Sequence, residues 1–210
     1  MRKRWSAGGF VLAMLLTAAI RADETKADQP EPGFTSLFNG KSLDGWHIMN
    51  NGRFSVKDGV IFLNKGRGWL RSDKEYKDFE LRLDFRFLNP RADSGIFVRS
   101  SKEGKDWPAM NYQVQLIDAT SMGNLFVAGG LAKPKVIRDA EKVKKVMKPV
   151  GEWQSYVIIA QGPRLEVRLN GEVITVAEGL ADQPGYLGLQ GEGGQLEFKN
   201  IRLKELKAGK

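Results

Sequence analysis

The sequence of 210 residues contains no cysteine and a single histidine, His47. The lack of cysteine excludes disulfide bonds and the lipid-modified cysteine that anchors bacterial lipoproteins. A lone histidine cannot build a His-rich zinc site, and a Ser–His–Asp triad would depend on this one residue. The fold must therefore be held together by its apolar core.

The N-terminal segment has the composition of a secretory signal peptide. Three basic residues precede an apolar run over residues 9–20, which is too short for a comfortable membrane span. We expect cleavage after Ala22, with Ala19 as the alternative, and an uncleaved anchor is the competing interpretation. A signal peptide over residues 1–22 predicts a periplasmic or extracellular protein with no membrane span after cleavage.

The basic charge of the chain lies largely in this segment. Residues 1–22 hold four cationic and no acidic side chains, so their removal lowers the formal net charge from +8 to +4. A mature domain of such mild charge, without a basic stripe and interleaved aromatics, does not predict nucleic acid as a partner.

From Phe34 onward, apolar residues alternate with polar ones at a period of two. The clearest strand runs from Phe79 to Phe87. Hairpin turns are predicted at Asp58–Gly59 and Asn170–Gly171, because these dipeptides suit turns with positive φ. Further strands are expected over residues 94–100, 112–118, 153–160, 186–190 and 196–203.

About ten strands with almost no helix predict an all-β fold of two packed antiparallel sheets. We assign one sandwich domain to residues 34–206, a flexible lead-in to residues 23–33 and a tail to residues 207–210. The one helix is predicted over Ile137–Met147, which is rich in lysine. It is interpreted either as a solvated connection or as a basic lid or docking segment.

Outward faces of the predicted strands carry amides, carboxylates, arginine and an aromatic ring rather than miscellaneous charge. If the strands are neighbours, they form one polar surface of the kind that binds sugar hydroxyls and stacks on sugar rings. The alternative is cross-strand charge pairing on a solvated sheet. The candidate ligand-binding residues are Glu80, Asp84, Phe97, Gln113, Gln115 and Gln190, with Arg82 and Arg99 on the same faces.

Glu192 lies in a glycine-rich segment, Gly191–Gly194, which is followed by a strand rather than a helix. A phosphate-binding loop needs a helix start behind it, so we predict a hairpin turn here and no nucleotide cofactor. The sequence does not decide whether the protein binds a divalent metal, because its scattered Asp and Asn side chains could be ligands but show no recognisable ligand spacing.

Six segments follow one another in order through nearly the whole chain after the lead-in: GFTSLFNGKSLDGW (33–46), DFELRLDFR (78–86), DSGIFVR (93–99), YQVQLID (112–118), GYLGLQ (185–190) and LEFKNIR (196–202). Together they resemble one bacterial family, the 3-keto-disaccharide hydrolase or 3-keto-glucoside 1,2-lyase/3-keto-2-hydroxy-glucal hydratase domain.

The resemblance implies a concanavalin A-like jelly roll, exported and acting on glycosides oxidised at C3. In such a substrate a base removes the acidified C2 hydrogen, the C1 group departs, and water can add to the resulting enone. Two positions depart from the family pattern: Gln113 stands where the family has Glu, and Glu192 stands near a lost His.

Three hypotheses follow. In the first, the protein is a lyase or hydrolase of 3-keto-glycosides, with Glu192, Asp118 or His47 as acid or base and Arg99 stabilising an oxyanion. In the second, the same face is a lectin-like sugar-binding module without turnover. In the third, the domain is an interaction module that docks through its lysine-rich segment.

Overall fold

Fifteen strands and one short helix make up the part of the chain that the computed structural model describes, residues 31–207. The predicted signal peptide and most of the lead-in lie outside the described residues, as does the end of the tail. In chain order the elements are β1 (Thr35–Ser36), β2 (Trp46–Asn50), β3 (Phe54–Lys57), β4 (Val60–Asn64), β5 (Gly68–Tyr76), β6 (Phe79–Phe87), β7 (Ser94–Ser100), β8 (Asn111–Leu116), β9 (Leu125–Ala128), β10 (Lys135–Arg138), α1 (Ala140–Val146), β11 (Gln154–Gln161), β12 (Arg164–Leu169), β13 (Glu172–Glu178), β14 (Gly185–Gly191) and β15 (Gln195–Glu205).

The strands form two antiparallel sheets that pack face to face, as the alternation predicts. The nine-stranded sheet has the order β10-β13-β12-β11-β6-β15-β4-β3, with β1 paired to β15, and the six-stranded sheet has the order β2-β5-β14-β7-β8-β9. The all-β jelly-roll sandwich is thereby confirmed. Among the described residues no helix is long and apolar enough to cross a membrane.

The core lies between the sheets and is built by strict alternation. In β6 every second residue is buried, from Phe79 to Phe87, and the residues between them point away from the core. Phe85 packs edge-on against Tyr156 of the neighbouring strand β11, with ring centroids 5.5 Å apart. Such burial of aromatic side chains is the main source of stability in a chain that has no disulfide.

Both predicted hairpin turns are confirmed. Asp58 and Gly59 connect β3 to β4 with φ values of 49° and 78°, and Asn170 and Gly171 connect β12 to β13 with φ values of 51° and 91°. Two successive residues with positive φ match the right-handed twist of the strands that they join.

The predicted helix over 137–147 is shorter than expected at its start. Ile137 belongs to the edge strand β10, where it pairs with Val176 of β13. The side chain of Asp139 accepts a hydrogen bond from the backbone N–H of Lys142 and so begins the helix at residue 140. Only Val143 of α1 is buried, and the helix packs against β13 of the nine-stranded sheet.

A β-bulge interrupts the alternation in β7. Tyr186 of β14 pairs with Ser100 and Gly188 pairs with Phe97, so one residue of β14 lies opposite two of β7, Val98 and Arg99. Arg99 within this bulge has a φ of 48°. A bulge re-aims the side chain that it carries. The sequence pattern places Arg99 on the same face as Phe97, but the bulge turns it elsewhere.

The guanidinium of Arg99 is fully buried and bonded to the protein itself. It donates to the carbonyl oxygens of Lys77, at 3.0 and 3.1 Å, and Ala181, at 2.7 Å, and it forms an ion pair of 3.3 Å with Asp78. Asp78 in turn accepts a 2.7 Å hydrogen bond from the backbone N–H of Gly162. Arg99 therefore ties three loops together.

Removal of this guanidinium should destabilise the fold strongly. Arg99→Met would leave the buried Asp78 carboxylate without its counter-ion and two carbonyl oxygens without these donors, which costs about 3–5 kcal/mol. Arg164→Met is the matched control, because Arg164 is exposed and its ion pairs with Glu166 and Glu178 lie on the surface; its cost should stay below about 1 kcal/mol. Urea unfolding measures both, and equal losses in the two variants would contradict the structural role of Arg99.

Candidate functional site

The outer face of the six-stranded sheet brings together polar side chains from three neighbouring strands. Register aligns Phe97 of β7 with Gln113 of β8 and with Gly188 of β14, and it aligns Gly95 with Gln115. Side chains at these positions point to the same side because they alternate with core residues. The strands therefore place the predicted amides next to one another.

A continuous chain of hydrogen bonds links these amides to two carboxylates. Gln115 Nε2 donates to Asp93 Oδ1 at 2.6 Å, and Gln113 Nε2 donates to Gln115 Oε1 at 2.6 Å and to Gln190 Oε1 at 2.9 Å. Gln190 Nε2 donates to Glu192 Oε2 at 2.8 Å. We call these five residues the amide chain.

The direction of every bond in the amide chain follows from its two ends. The carboxyl oxygens Asp93 Oδ1 and Glu192 Oε2 accept hydrogen bonds, so Gln115 and Gln190 each turn their NH2 group toward them. Their carbonyl oxygens then face inward, and the NH2 group of Gln113 satisfies both. Gln113 Oε1 makes no hydrogen bond within the described residues and is left for a ligand.

Close packing under the amide chain depends on a glycine. A Cβ atom built at Gly95 would lie 2.7 Å from Gln113 Nε2 and 2.8 Å from its Cγ. Only a residue without a side chain allows Gln113 to lie flat across β7 and reach Gln190 on the far side.

Both terminal carboxylates have raised pKa values. Burial raises the pKa of Asp93 above its ordinary value, and the charge of Asp118 adds to the shift. Burial likewise raises the pKa of Glu192, with a further increase from the charge of Asp93 and an opposing effect of Arg67. In both cases the amide that donates to the carboxylate lowers the pKa in part. Such shifts bring a carboxyl group closer to the range in which it exchanges protons.

A cavity of about 390 Å³ opens beside the amide chain, between the outer ends of β7, β8 and β9 and the loop before β8. Gln113 lies at its floor. Its lining combines aromatic rings with polar groups, and includes Phe97, Trp107, Asn111 and Phe126. Phe126 is 52% exposed, so its ring face is open to a ligand. Aromatic faces beside amides are typical of sites that hold a sugar ring.

The loop before β8 is fastened to the sheet next to Glu192. Trp107 Nε1 donates to the carbonyl oxygen of Gly191 at 3.3 Å, and Arg67 stacks on the Trp107 ring at 5.4 Å. Arg67 also forms a 3.1 Å ion pair with Asp106. These contacts hold one wall of the cavity in place.

The structure brings together five of the residues named from the sequence: Phe97, Gln113, Gln115, Gln190 and Glu192. Asp118 is exposed just beyond β8, where it accepts hydrogen bonds from Thr120 that lower its pKa, so it acts as a turn cap. His47 lies on the edge strand β2 and pairs with Asp73. Arg99 lies in its bulge, away from the amide chain.

Glu80 and Asp84 are corrections to the expected single surface. Both belong to β6, which lies in the nine-stranded sheet between β11 and β15 and not beside β7 or β8. Glu80 pairs with Arg82 at 2.6 Å, and Asp84 accepts a 2.6 Å hydrogen bond from Asn200. Glu80 is thus paired within its own strand, and Asp84 is bonded to an amide of the neighbouring strand β15, so neither belongs to the expected ligand-binding surface.

Asp93 is the site residue that strand patterns alone do not select. It directly precedes β7 and forms an isolated bridge with Gly193, which brings it opposite the segment of Glu192. The signal that could have pointed to it is the DSG sequence at the strand start, a carboxylate next to two small residues. In residues 31–207, no group of three or more His, Cys, Asp or Glu side chains comes close enough to hold a metal ion.

The chain is similar in structure to solved proteins of the same fold. One is a candidate glycosyl hydrolase from Parabacteroides distasonis ATCC 8503, with 25% identity, a TM-score of 0.63 and coverage of 88% of this chain and 97% of that one. Another is the carbohydrate-binding module CBM66 from Bacillus subtilis, with 17% identity, a TM-score of 0.60 and coverage of 76% and 95%. A third is a B. subtilis protein of unknown function with a galectin-like fold, with 11% identity, a TM-score of 0.59 and coverage of 79% and 91%.

None of the curated proteins matches the chain. The sequence itself, however, matches a described domain family from residue 33 to residue 204. Because this match covers most of the chain, the protein belongs to the 3-keto-alpha-glucoside-1,2-lyase-like domain family.

Proposed function

We propose that the protein is a carbohydrate-active enzyme that cleaves 3-keto-glycosides by removing the C2 proton and eliminating the C1 group. The observation that carries this proposal is the pair of half-buried carboxylates, Asp93 and Glu192, with raised pKa values at the two ends of the amide chain. The family to which the chain belongs supports the same substrate class.

The reaction requires one group that accepts a proton and one that donates a proton. A ketone at C3 acidifies the C2 hydrogen, so a carboxylate can take it and leave an enolate. The enolate electrons then form the C1–C2 double bond as the C1–O bond breaks, and the departing oxygen takes a proton from the second carboxyl group. Water can add to C1 of the enone, with a proton returning to C2.

Asp93 and Glu192 suit these two roles unequally. Burial, and after it the charge of Asp93, raises the pKa of Glu192 and favours its protonated form, so we assign it the role of the acid. Burial also raises the pKa of Asp93, but the 2.6 Å hydrogen bond from Gln115 lowers it in part, so we assign Asp93 the role of the base.

The amides supply binding and orientation. Gln113 Oε1 can accept a hydrogen bond from a sugar hydroxyl, and the NH2 groups of Gln115 and Gln190 each keep a second hydrogen that can be donated to the C3 oxygen. The ring of Phe126 offers a surface for the apolar face of a sugar in the neighbouring cavity. The substrate is thus held by neutral groups between two carboxyl groups.

A lectin-like sugar-binding module is the second candidate function. It is favoured by the three amides at the centre of the site, since an amide binds hydroxyl groups but cannot transfer protons at neutral pH. We further propose that the signal sequence directs the protein to the periplasm or the cell exterior, where either function would meet glycosides.

Loss of either terminal carboxyl group should abolish cleavage. Asp93→Asn and Glu192→Gln should each reduce the rate on a 3-keto-glucoside by at least about 100-fold, while binding of the sugar persists, because an amide keeps the hydrogen bond but not the proton transfer. The rate is followed by the ultraviolet absorbance of the enone and by release of 3-keto-glucose. Asp84→Asn, a carboxylate on the opposite sheet, should leave the rate unchanged. A wild-type protein that binds the sugar and yields neither product would establish the binding module instead.

Glu192→Gln should also make the protein slightly more stable at neutral pH. The folded state raises the pKa of Glu192, so it binds this proton more tightly than the unfolded state does, and that contribution to stability is lost as the pH rises through the raised pKa. The glutamine variant has no charge to desolvate, so its melting temperature at pH 7 should exceed that of the wild type. The difference should disappear below about pH 4, where glutamate is protonated in both states.

Thermal unfolding at several pH values measures this difference. Glu152→Gln is the control, since Glu152 is exposed on the loop before β11, and it should show no pH-dependent gain. A glutamine variant at position 192 that is less stable than the wild type at pH 7 would contradict the raised pKa.

A further inference from the structure

Two buried side-chain nitrogens in residues 31–207 have no hydrogen-bond partner, and both lie on the outer side of β5. They are Trp69 Nε1 and Arg71 Nε. Trp69 and Arg71 are two residues apart on one strand and therefore project to the same face as the amide chain. Buried polar groups are nearly always bonded, so two orphaned donors in one place call for a ligand.

Arg71 is only 5% exposed and forms no ion pair within the described residues. Its guanidinium lies over the ring of Tyr186, with 4.6 Å between its Cζ atom and the ring centroid. The next side chain on this face of β5 is Asp73, and it pairs with His47 of β2 instead. Asp73 is therefore paired with His47 and does not neutralise the charge of Arg71.

A buried guanidinium without a counter-ion is costly, and stacking on an aromatic ring offsets only part of that cost. A guanidinium that lies over a ring still directs its N–H groups outward in its own plane. The contact with Tyr186 therefore holds the Arg71 guanidinium in position, while its N–H groups form no hydrogen bond within the described residues. Arg99, also buried, differs because its donors meet Asp78 and two carbonyl oxygens.

The second orphaned donor belongs to Trp69, which lies two residues before Arg71 and has a fully buried side chain. A Cβ atom at Gly188, which is opposite Arg71, would lie 3.1 Å from Trp69 Cδ1, the atom bonded to Nε1. The Cδ1 edge of the Trp69 indole therefore packs closely against β14 at Gly188, the residue that pairs with Arg71. The guanidinium can only donate hydrogen bonds, so the group that satisfies it must be an acceptor, and an anionic one to neutralise its charge. A carboxylate has this chemistry, and arginine binds it through two parallel hydrogen bonds.

We propose that Arg71, held over the ring of Tyr186, forms a subsite for the carboxylate of an acidic sugar, so that the protein acts on glycosides containing a uronic acid. The proposal rests on the proposed function for the claim that this face binds carbohydrate. It adds a substrate class that the amide chain, which is built from neutral amides and acids, does not specify.

The position of the subsite assigns the carboxylate to a neighbouring sugar rather than to the ring that reacts. Arg71 aligns with Gly188, and Glu192 follows four residues later in β14 and its extension, which is about 13 Å along the strand. One pyranose ring cannot span that length. Arg71 thus recognises the substrate and lies too far from Glu192 to serve as a catalytic residue.

Calorimetric titration with methyl β-D-glucuronide and methyl β-D-glucoside tests the subsite on the mature protein. The two probes differ by a carboxylate in place of a hydroxymethyl group. The wild type should bind the glucuronide at least about tenfold more tightly, as one charged bidentate contact predicts. Arg71→Met should remove that preference and leave binding of the neutral glucoside unchanged.

Two further variants separate the subsite from general effects. Arg86→Met removes the same charge from a cation–π pair with Trp153 on the opposite sheet, so it should retain the preference. Arg71→Lys keeps the charge but loses the planar pair of donors, so it should lose most of the preference even if Arg71→Met fails to fold. Thermal unfolding confirms that each titrated variant is folded.

The outcomes distinguish the two proposals. Equal binding of both probes by the wild type, or a preference that survives in the folded Arg71 variants, would overturn the uronic acid subsite and leave the proposed function standing. Binding of neither probe, together with no turnover of a 3-keto-glucoside, would overturn the proposed function and the subsite with it.

Discussion

The antiparallel register of β14 with β5 and β7 determines which side chains share the outer face of the six-stranded sheet. Gly188 is central to that register, because it pairs with Arg71 of β5 on one side and with Phe97 of β7 on the other. Its missing side chain leaves room for the Trp69 and Phe97 rings to close over the strand. This alignment places Gln113 and Gln115 of the amide chain on one side of β14 and the unpaired guanidinium of Arg71 on the other.

The pairing of β14 with its two neighbours also explains why Arg99 and Arg71, two arginines of similar burial, have different roles. The bulge in β7 removes Arg99 from the face and gives it internal partners, whereas Arg71 stays paired with Gly188 on the outer face and forms no ion pair within the described residues. Stability is thus assigned to one guanidinium and ligand binding to the other. Glu192 also serves function rather than stability. Burial of its charged form lowers the stability of the fold at neutral pH, and such a group is retained where it can exchange protons.

Much of the fold follows from local patterns in the sequence. The alternation from Phe79 to Phe87 and the Asn170–Gly171 turn depend on neighbours in the chain, so they could be predicted without knowledge of the sheets. Sheet membership is different, because Glu80 and Gln113 show the same alternation and yet lie on opposite sheets. Arg99 shows a second limit: an extra residue in one strand changes the direction of a side chain and leaves no mark in the apolar pattern.

The sequence predicted the three amides of the candidate site, but strand patterns did not select Asp93, one of its two carboxylates. Gln113, Gln115 and Gln190 lie within strands, where alternation assigns them to a face. Asp93 lies at a strand start, where alternation has not yet begun, and only the bridge to Gly193 places it near Glu192. A carboxylate held by such a long-range bridge cannot be inferred from periodicity, because the bridge joins segments about a hundred residues apart in the chain.

Gly95 has a consequence in evolutionary terms. Because a Cβ atom there would meet both Nε2 and Cγ of Gln113, a larger residue at position 95 and the present conformation of Gln113 exclude each other, and selection would act on the two positions together. A lineage that acquires any larger residue at position 95 must shorten the side chain at 113 and so lose the link between the two halves of the amide chain. A lineage that keeps glycine there remains free to exchange the amide for another side chain of the same length, and with it the chemistry of the whole face.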